Sequence, residues 1–293
     1  MKVFVTGASG FVGTAVVHDL VAHGHDVVGL ARSDASADAI TAAGASVHRG
    51  DLNDLDSLRA GAAAADGVVH LAFHHDFDEF ADAGDLDRRA IEALGETLAG
   101  SDRPLVVTSG MAGHTPGRPI TETDAAQPGL PRVSEQAALA FVDRGVRVGI
   151  VRLSPTTHGV GDHGFVPRLI QIAREKGVSA YPGDGTNRWP AVHRLDAAPL
   201  FRLALEKATS GTILHAVAEG GIPSKEIAEA IGRGLNLPVT SVPAEQAFDH
   251  FGWIGGFFAL DLPGSSELTR ERFDWKPAEV GLIEDLDQGH YFA

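Results

Sequence analysis

Three glycines near the start of the chain have the spacing of a phosphate-binding loop. Residues 6–13 read TGASGFVG, between a short β-branched segment and a segment with helical spacing of apolar residues. Glycines so placed let the main chain approach a pyrophosphate, while the N-terminus of the following helix faces its negative charge. A purely structural glycine turn is the alternative. We predict a dinucleotide-binding loop with contacts from Thr6, Gly7, Ser9, Gly10, Phe11, Val12 and Gly13.

A basic residue follows the second predicted strand, where the 2′ position of the cofactor is read. Residues 31–33 read ARS. Arg32 can form two hydrogen bonds to a 2′-phosphate and Ser33 can donate another, whereas an acidic side chain would bind the ribose hydroxyls. The sequence therefore favours NADP(H) over NAD(H). In the alternative interpretation Arg32 is solvated and Asp34 binds the ribose.

Hydride chemistry needs protein groups that position a carbonyl or imine carbon and stabilise charge on its heteroatom. Ser109 is the first candidate for this task, and the alternative is that it caps local main chain. His114 and His158 follow strands five and six, where ligands of open α/β folds bind, and imidazole donates protons near neutral pH. Tyr181, in a Gly- and Pro-rich segment, is a further candidate acid. Structural histidines and a packed tyrosine ring are the alternatives.

Residues 74–79 (HHDFDE) are of metal-binding types, but their spacing does not suit a metal site. Adjacent side chains point in different directions, and no His-Glu-x-x-His or other zinc spacing occurs. The chain has no cysteine, which excludes disulfides, thiolate metal sites and a cysteine nucleophile. We predict no metal and interpret this acidic stretch as a rim of the ligand cleft.

Composition and charge restrict the partners. The formal net charge of −15 disfavours nucleic acids and anionic membranes, because both need a basic face. No apolar run approaches the ~18 residues of a membrane span, and the first residues are typical of a strand rather than a signal peptide. We expect a cytoplasmic protein that acts on a small molecule.

The elements that must position these residues alternate between strand and helix, which predicts an α/β fold with a doubly wound parallel sheet. The predicted strands are residues 1–6, 26–31, 46–49, 67–72, 105–109 and 146–153. The predicted helices are 11–23, one that ends at 43, 85–99 and 134–144.

The second half has a looser pattern, with Gly and Pro clusters at 155–167 and 181–190. We predict a Rossmann domain over residues 1–154, to which 190–217 return with a strand at 212–217. Residues 155–189 and 218–293 would form a smaller α/β substrate-binding subdomain. It would contain a helix at 225–235 with Ser224 near its N-cap.

Short motifs along nearly the whole chain resemble the extended short-chain dehydrogenase/reductase superfamily, which includes the NAD-dependent epimerases and dehydratases. Besides residues 6–13, the motifs are GDL at 50–52, HLA at 70–72, VTS at 107–109, VRLSP at 151–155, WPAVHRLD at 189–196 and FDWKP at 273–277. The resemblance implies a Rossmann fold, a nicotinamide cofactor and a dimer formed through the helices at 85–99 and 134–144.

The resemblance also assigns roles to residues beyond the glycine loop. Asp51 and Leu52 would border the adenine, and Pro155 and Thr156 would lie beside the nicotinamide. Ser109 follows the strand after which the family keeps a substrate-binding hydroxyl, with Gly110 as the other possible equivalent. The remaining residues that would line the cofactor cleft are Leu71, Ala72, Phe73, Thr108 and Ser109.

The chain departs from the superfamily where a Tyr-x-x-x-Lys pair is expected. Ser134 and Glu135 occupy the place of the usual Ser-Lys, so Pro131 stands where the tyrosine should be. Tyr181 and Tyr291 are the only tyrosines in the chain. A glutamate cannot lower the pKa of a tyrosine as a lysine would, so we predict an atypical member without the proton-donating pair.

The leading hypothesis is an NADPH-dependent reductase of a small, largely apolar ketone, aldehyde or imine, since a cationic iminium accepts hydride without a strong acid. The second hypothesis is a non-catalytic NADP(H)-binding regulator or redox sensor. The third, an epimerase or dehydratase of a nucleotide sugar, is weakened because that chemistry uses the tyrosine.

Overall fold

The computed structural model describes residues 1–74, 80–111, 118–127, 129 and 132–293. Among these residues the strands are β1 (Lys2–Thr6), β2 (Asp26–Ala31), β3 (Ser46–Arg49), β4 (Gly67–His70), β5 (Pro104–Gly110), β6 (Arg147–Leu153), β7 (Thr156–His158), β8 (Ser179–Pro182), β9 (Arg188–His193), β10 (Thr212–Ala216), β11 (Glu219–Pro223) and β12 (Val239–Val242). The helices are α1 (Phe11–Ala22), α2 (Asp34–Ala42), α3 (Leu55–Ala63), α4 (Phe80–Leu98), α5 (Ser134–Leu139), α6 (Phe165–Lys176), α7 (Arg194–Lys207), α8 (Ser224–Leu235), α9 (Ala247–Phe251), α10 (Trp253–Phe258), α11 (Glu267–Phe273) and α12 (Leu282–Asp287), with 3-10 turns at Val142–Arg144 and Ala244–Gln246.

The main sheet has seven strands in the order β10-β6-β5-β4-β1-β2-β3. The pairs β1–β2, β1–β4, β2–β3 and β4–β5 are parallel. The strand order therefore reverses between β1 and β4, the place where open sheets of this kind bind ligands. This architecture confirms the predicted doubly wound α/β fold. The apolar run Leu105, Val106 and Val107 of β5 is fully buried, as expected for a strand with both faces covered.

The first of two compact units contains most of this sheet and comprises Met1–Gly110, Ala125–Arg152 and Ala198–Leu214. Small residues let its helices pack closely. A Cβ on Gly61 would lie 2.4 Å from the Phe4 ring, and a Cβ on Gly95 would lie 2.6 Å from the Phe141 ring. Such contacts place α3, α4 and the segment after α5 against a continuous apolar core.

The second unit comprises Met111–Asp124, Leu153–Ala197 and His215–Ala293. In it, β9 pairs in parallel with β7 and antiparallel with β11, and β12 pairs in parallel with β8. Its core is aromatic, with the Trp189 and Phe258 ring centres 5.1 Å apart and the Phe251 and Phe258 centres 5.3 Å apart.

Two chain segments fall differently from the predicted domain boundaries. Residues 111–124 belong to the second unit, because main-chain hydrogen bonds join Ile120 to Pro263 and Ser265. Residues 190–197 also belong there, since β9 lies in the three-stranded sheet.

The helix predicted over residues 134–144 is wrong beyond Leu139, where the chain turns so that Phe141 packs against Gly95. Ser224 lies next to the N-cap residue of α8, Pro223, as the first residue of the helix, and its hydroxyl donates to Asn187 Oδ1 at 2.6 Å. No helix in the described ranges is both long and apolar enough to cross a membrane.

Candidate functional site

The glycine turn between β1 and α1 leaves no room for side chains. Gly7 has φ +70°, and a Cβ there would lie 2.7 Å from the amide nitrogen of Ala72. A Cβ on Gly13 would lie 1.9 Å from the carbonyl oxygen of Gly7. Gly10 is exposed and immediately precedes the 12-residue α1. The close-packed glycine turn and the N-terminus of α1 form a cradle that fits a pyrophosphate.

The other predicted loop residues differ in what their side chains can reach. Ser9, Phe11 and Val12 are half-buried around the turn. Thr6 is fully buried, and its hydroxyl contacts His70 Nδ1 at 2.8 Å and the Ala72 amide at 3.3 Å. The Thr6 side chain therefore fixes the turn to the end of β4 and is not directed at a ligand.

The ends of β2 and β3 hold two arginine–aspartate pairs of unequal strength. Arg32, with a side chain 75% exposed, has its Nε 3.9 Å from Asp51 Oδ2. Arg49 donates to Asp34 at 2.6 Å, so the alternative ribose-binding carboxylate is already engaged. The Ser33 hydroxyl accepts from the Ser36 amide as the N-cap of α2.

The carboxyl ends of β4 and β5 lie beside the glycine turn. Leu71, Ala72 and Phe73 follow β4, and the Leu71 amide donates to the Thr6 carbonyl. Thr108 is buried, and its hydroxyl has no hydrogen-bond partner among the described residues. Ser109 is partly exposed at the end of β5. An unpaired buried hydroxyl usually marks the place of a ligand or water, so Thr108 also fits a bound dinucleotide.

A chain of hydrogen bonds runs from the glycine turn to Arg132. His70 Nε2 contacts Asp87 Oδ1 at 3.0 Å, and the Ser134 hydroxyl donates to Asp87 Oδ2 at 2.5 Å. Arg132 Nε donates to that same Ser134 hydroxyl at 2.8 Å. Thr6, His70, Asp87 and Ser134 are each no more than 1% exposed. We call these four residues and Arg132 the polar chain.

Hydrogen-bond directions in the polar chain are mutually consistent. If the Ala72 amide and the Arg132 Nε donate, the Thr6 and Ser134 hydroxyls are free to donate to His70 Nδ1 and to Asp87. A neutral His70 then carries its proton on Nε2 and donates to Asp87. Burial raises the pKa of Asp87, but the hydrogen bond from His70, the charge of Arg132 and the hydrogen bond from Ser134 hold it below its ordinary value. Asp87 is therefore a carboxylate.

Glu135, at the predicted lysine position, forms a buried ion pair. Arg152 Nε and Nη2 donate to its two carboxylate oxygens at 2.8 and 2.7 Å. Both residues are at least 95% buried. This two-point pairing compensates the charge of Glu135 inside the first unit. Pro131 lies outside the described residues.

The other candidate acids occupy structural environments or lie outside the described residues. His158, on β7, is fully buried; its Nδ1 is 2.9 Å from Asp285 Oδ2, and its ring centre is 5.3 Å from that of His193. Burial, together with nearby His158, lowers the pKa of His193. These contacts favour a structural role for His158. His114 is not among the described residues.

Tyr181 and Tyr291 both belong to the second unit. Tyr181, on β8, is half-buried, with Lys225 Nζ 6.0 Å from its ring centre. The Tyr291 hydroxyl accepts from the Gly159 amide and donates to Asp162 Oδ2 at 3.0 Å, and burial raises the pKa of Tyr291.

The predicted cofactor contacts beyond the first unit lie near β7. Pro155 immediately precedes this strand, and Thr156 is buried in it, where its hydroxyl donates to the carbonyl of Pro190. Leu52 and Asp51 follow β3 in the first unit, where Asp51 Oδ1 accepts from the Asn53 amide at 2.8 Å.

Sequence reasoning did not identify Arg132 or Asp87 as functional candidates. Arg132 directly follows Pro131, the position predicted for the tyrosine, and this place in the sequence could have identified it as a candidate. No feature of the sequence marked Asp87, because an aspartate in a mostly polar helix is ordinary. Within the described ranges no three His, Asp or Glu side chains converge on a metal position. His74 is described, whereas residues 75–79 are not.

Comparisons with known proteins identify relatives over the whole length of the chain. The model of the NAD dependent epimerase/dehydratase family matches residues 3–217. An uncharacterized protein of Schizosaccharomyces pombe is 52% identical over 295 residues, which cover 100% of both chains. The 2′-dehydrokanamycin reductase of Streptomyces kanamyceticus is 30% identical, over 98% of this chain and 79% of its own length.

A solved structure shows the same fold at lower identity. The dTDP-glucose 4,6-dehydratase of Streptomyces venezuelae, crystallised with NAD, superposes with a TM-score of 0.80 at 20% identity. The match covers 100% of this chain and 96% of that one.

Proposed function

Because the chain belongs to the NAD-dependent epimerase/dehydratase family, we propose that it is an NADPH-dependent reductase of a small ketone, aldehyde or imine. This membership agrees with the resemblance found in the sequence motifs. The glycine turn carries the proposal: its positions 7 and 13 are closed by main-chain atoms, and it lies where the strand order reverses. A bound nicotinamide would supply the hydride.

The residues of the chain would bind and orient this dinucleotide. The turn at residues 7–13 would face the pyrophosphate, and Thr108, near the end of β5, offers a hydroxyl that has no partner among the described residues. Ser109, partly exposed beside it, would hydrogen-bond the substrate heteroatom. The predicted lack of the tyrosine supports reduction over epimerisation, and a reductase occurs among the relatives beside a UDP-glucose 4-epimerase.

Arg32 supports NADPH over NADH. Its side chain is largely exposed, and its contact with Asp51 is long, at 3.9 Å between Nε and Oδ2. The guanidinium is therefore available for a 2′-phosphate. Asp34, the acid that would favour NADH, is paired with Arg49.

The test is consumption of NADPH, with NADH in parallel, by the purified protein against ketones, aldehydes and cyclic imines. Turnover with NADPH preferred supports the proposal. Tight NADPH binding without turnover on any of these compounds would favour the sensor hypothesis. Turnover of a nucleotide sugar without net NADPH consumption would favour an epimerase or dehydratase.

The variant Arg32→Gln tests the cofactor choice. Loss of charge-assisted hydrogen bonds should weaken NADPH binding about 10- to 100-fold and leave NADH binding nearly unchanged. Dissociation constants from the fluorescence of each reduced dinucleotide measure this. Arg59→Gln is the control, since Arg59 lies on α3 and pairs with Asp56. An equal loss for both dinucleotides in Arg32→Gln would contradict the assignment.

A further inference from the structure

Arg132 has one side of its guanidinium fixed, and the other side meets no acceptor among the described residues. Nε donates to the Ser134 hydroxyl at 2.8 Å, and Nη2 donates to the Thr108 carbonyl at 3.0 Å. Its Cζ lies 4.0 Å from the centre of the Phe73 ring. No acceptor for Nη1 occurs in the part of the chain that the structure describes.

The charge of Arg132 also lacks a direct counterion. Within the described residues no carboxylate lies within 4.0 Å of the guanidinium. Its nearest acidic neighbour in the polar chain is Asp87, which Ser134 separates from it. Burial lowers the pKa of Arg132 and Asp87 opposes this effect, but a guanidinium stays charged at neutral pH. A partly exposed cation that has neither a direct counterion nor an acceptor for Nη1 among the described residues is suited to bind an anionic oxygen.

The neighbours of Arg132 are those already assigned to the cofactor cleft. Thr108 lies near the end of β5 and Phe73 follows β4. The polar chain links Ser134 through Asp87 and His70 to Thr6, at the start of the glycine turn. Buried hydrogen bonds and an aromatic face therefore hold the free side of the guanidinium in one orientation.

We infer that Arg132 is the oxyanion-binding residue of this site, and that the substrate is therefore a carbonyl compound and not an iminium ion. The inference rests on the proposed reductase function. The carbonyl carbon gains a hydride from the reduced dinucleotide, and the electron pair of the C=O double bond moves onto the oxygen. Arg132 donates a hydrogen bond to that oxyanion and keeps its own proton, and water protonates the oxygen.

The substrate class follows from the sign of the charge. A guanidinium stabilises the negative oxygen that develops during carbonyl reduction, and it repels an iminium ion, which is already cationic. Arg132 would thereby replace the electrophilic part of the predicted missing tyrosine. It would not titrate in the neutral range as a tyrosine–lysine pair does.

Binding of trifluoroacetate, followed by ¹⁹F NMR without any dinucleotide, tests the inference independently of catalysis. Its carboxylate imitates the oxyanion. Arg132→Met should weaken this binding at least about tenfold, and Arg132→Lys, which keeps the charge without the planar fork, should weaken it less. NADPH affinity should change little, because the glycine turn is intact.

Arg103→Met is the matched control. Arg103 also donates to main-chain carbonyls of the first unit, those of Ala62, Ala65 and Thr97. This variant should lower the unfolding temperature and leave trifluoroacetate affinity at the wild-type value. Circular dichroism shows whether each variant is folded. If Arg132→Met does not fold, the trifluoroacetate affinity of Arg132→Lys tests the inference in its place.

Two results would overturn the inference: a wild-type protein that does not bind trifluoroacetate, or equal affinity in the wild type and the folded Arg132 variants. The proposed function fails separately, if the wild-type protein binds no NADPH. Carbonyl reduction that Arg132→Met leaves unchanged would preserve the function and refute the role of Arg132.

Discussion

Gly7 and Gly24 have the same main-chain conformation in different surroundings. Their φ angles are +70° and +80°, in the left-handed region. A Cβ on Gly7 would lie 2.7 Å from the Ala72 amide, whereas a Cβ on Gly24 would have no atom within 4 Å. Alanine substitutions at the two positions thus distinguish the loss of stability caused by a strained φ angle from the effect of filling the cradle.

We expect Gly7→Ala to weaken NADPH binding more than about tenfold, because the turn must move away from Ala72 to admit the methyl group. Gly24→Ala should lower the free energy of unfolding by about 1–2 kcal/mol, because alanine is disfavoured in the left-handed conformation. It should bind NADPH with the wild-type affinity. Fluorescence titration and urea unfolding measure the two effects. Equal NADPH affinity in both variants would show that the turn is not the binding loop.

Three elements meet at Asp87, which lies on α4. His70 at the end of β4 and Ser134 at the start of α5 donate to its two oxygens. All three residues are almost fully buried. Since a buried carboxylate needs these donors, Asp87 ties α4 and α5 to the strand beside the glycine turn.

Asp87→Asn should lower the free energy of unfolding at pH 7 by about 1–3 kcal/mol, since its amide N–H₂ would face one of the two donors. The folded protein holds the Asp87 pKa below its ordinary value of 3.8. The stabilisation is therefore complete above about pH 4 and is lost as the pH falls through the folded pKa. The difference in the free energy of unfolding between the wild type and Asp87→Asn should therefore become smaller below pH 4.

Urea unfolding at pH 7, 5 and 3 measures this difference. Asp56→Asn is the control, because Asp56 is exposed on α3 and should change stability far less at each pH. A wild-type advantage over Asp87→Asn that stays constant down to pH 3 would be inconsistent with a buried carboxylate.

At the scale of the molecule, the composition has a large excess of acidic residues. The chain carries 39 acidic and 24 basic residues, with a formal net charge of −15. Many ion pairs, such as Arg59–Asp56 and Lys276–Asp274, are exposed and contribute little to the stability of the fold. Repulsion among the excess carboxylates therefore opposes compaction in both units.

We expect moderate salt to raise the unfolding temperature. Between ~10 and ~150 mM NaCl the screening length falls from ~30 to ~8 Å, and a gain of ~1 kcal/mol would raise the temperature by a few degrees at this size. Calorimetry measures the shift. KCl should reproduce it at equal ionic strength, and glucose at equal osmolarity should not. A fall in unfolding temperature with NaCl would mean that attractive ion pairs dominate.

The amino-acid sequence was sufficient to predict the doubly wound sheet, the place of the glycine turn and the family. Each depends on residues close together in the chain: apolar runs that mark strands, and glycines spaced between a strand and a helix. Local motifs of this kind remain legible without knowledge of distant contacts.

Only the tertiary structure decided which polar side chains meet. Asp87 is 17 residues from His70 and 47 from Ser134, and His158 is 127 residues from Asp285. No periodicity links such positions, because the packing of α4 and α5 on the sheet, and of α12 in the second unit, brings them together. The orientation of Arg132 depends on Ser134 and on the Thr108 carbonyl, 24 residues away, so only the fold determined which side of its guanidinium is held.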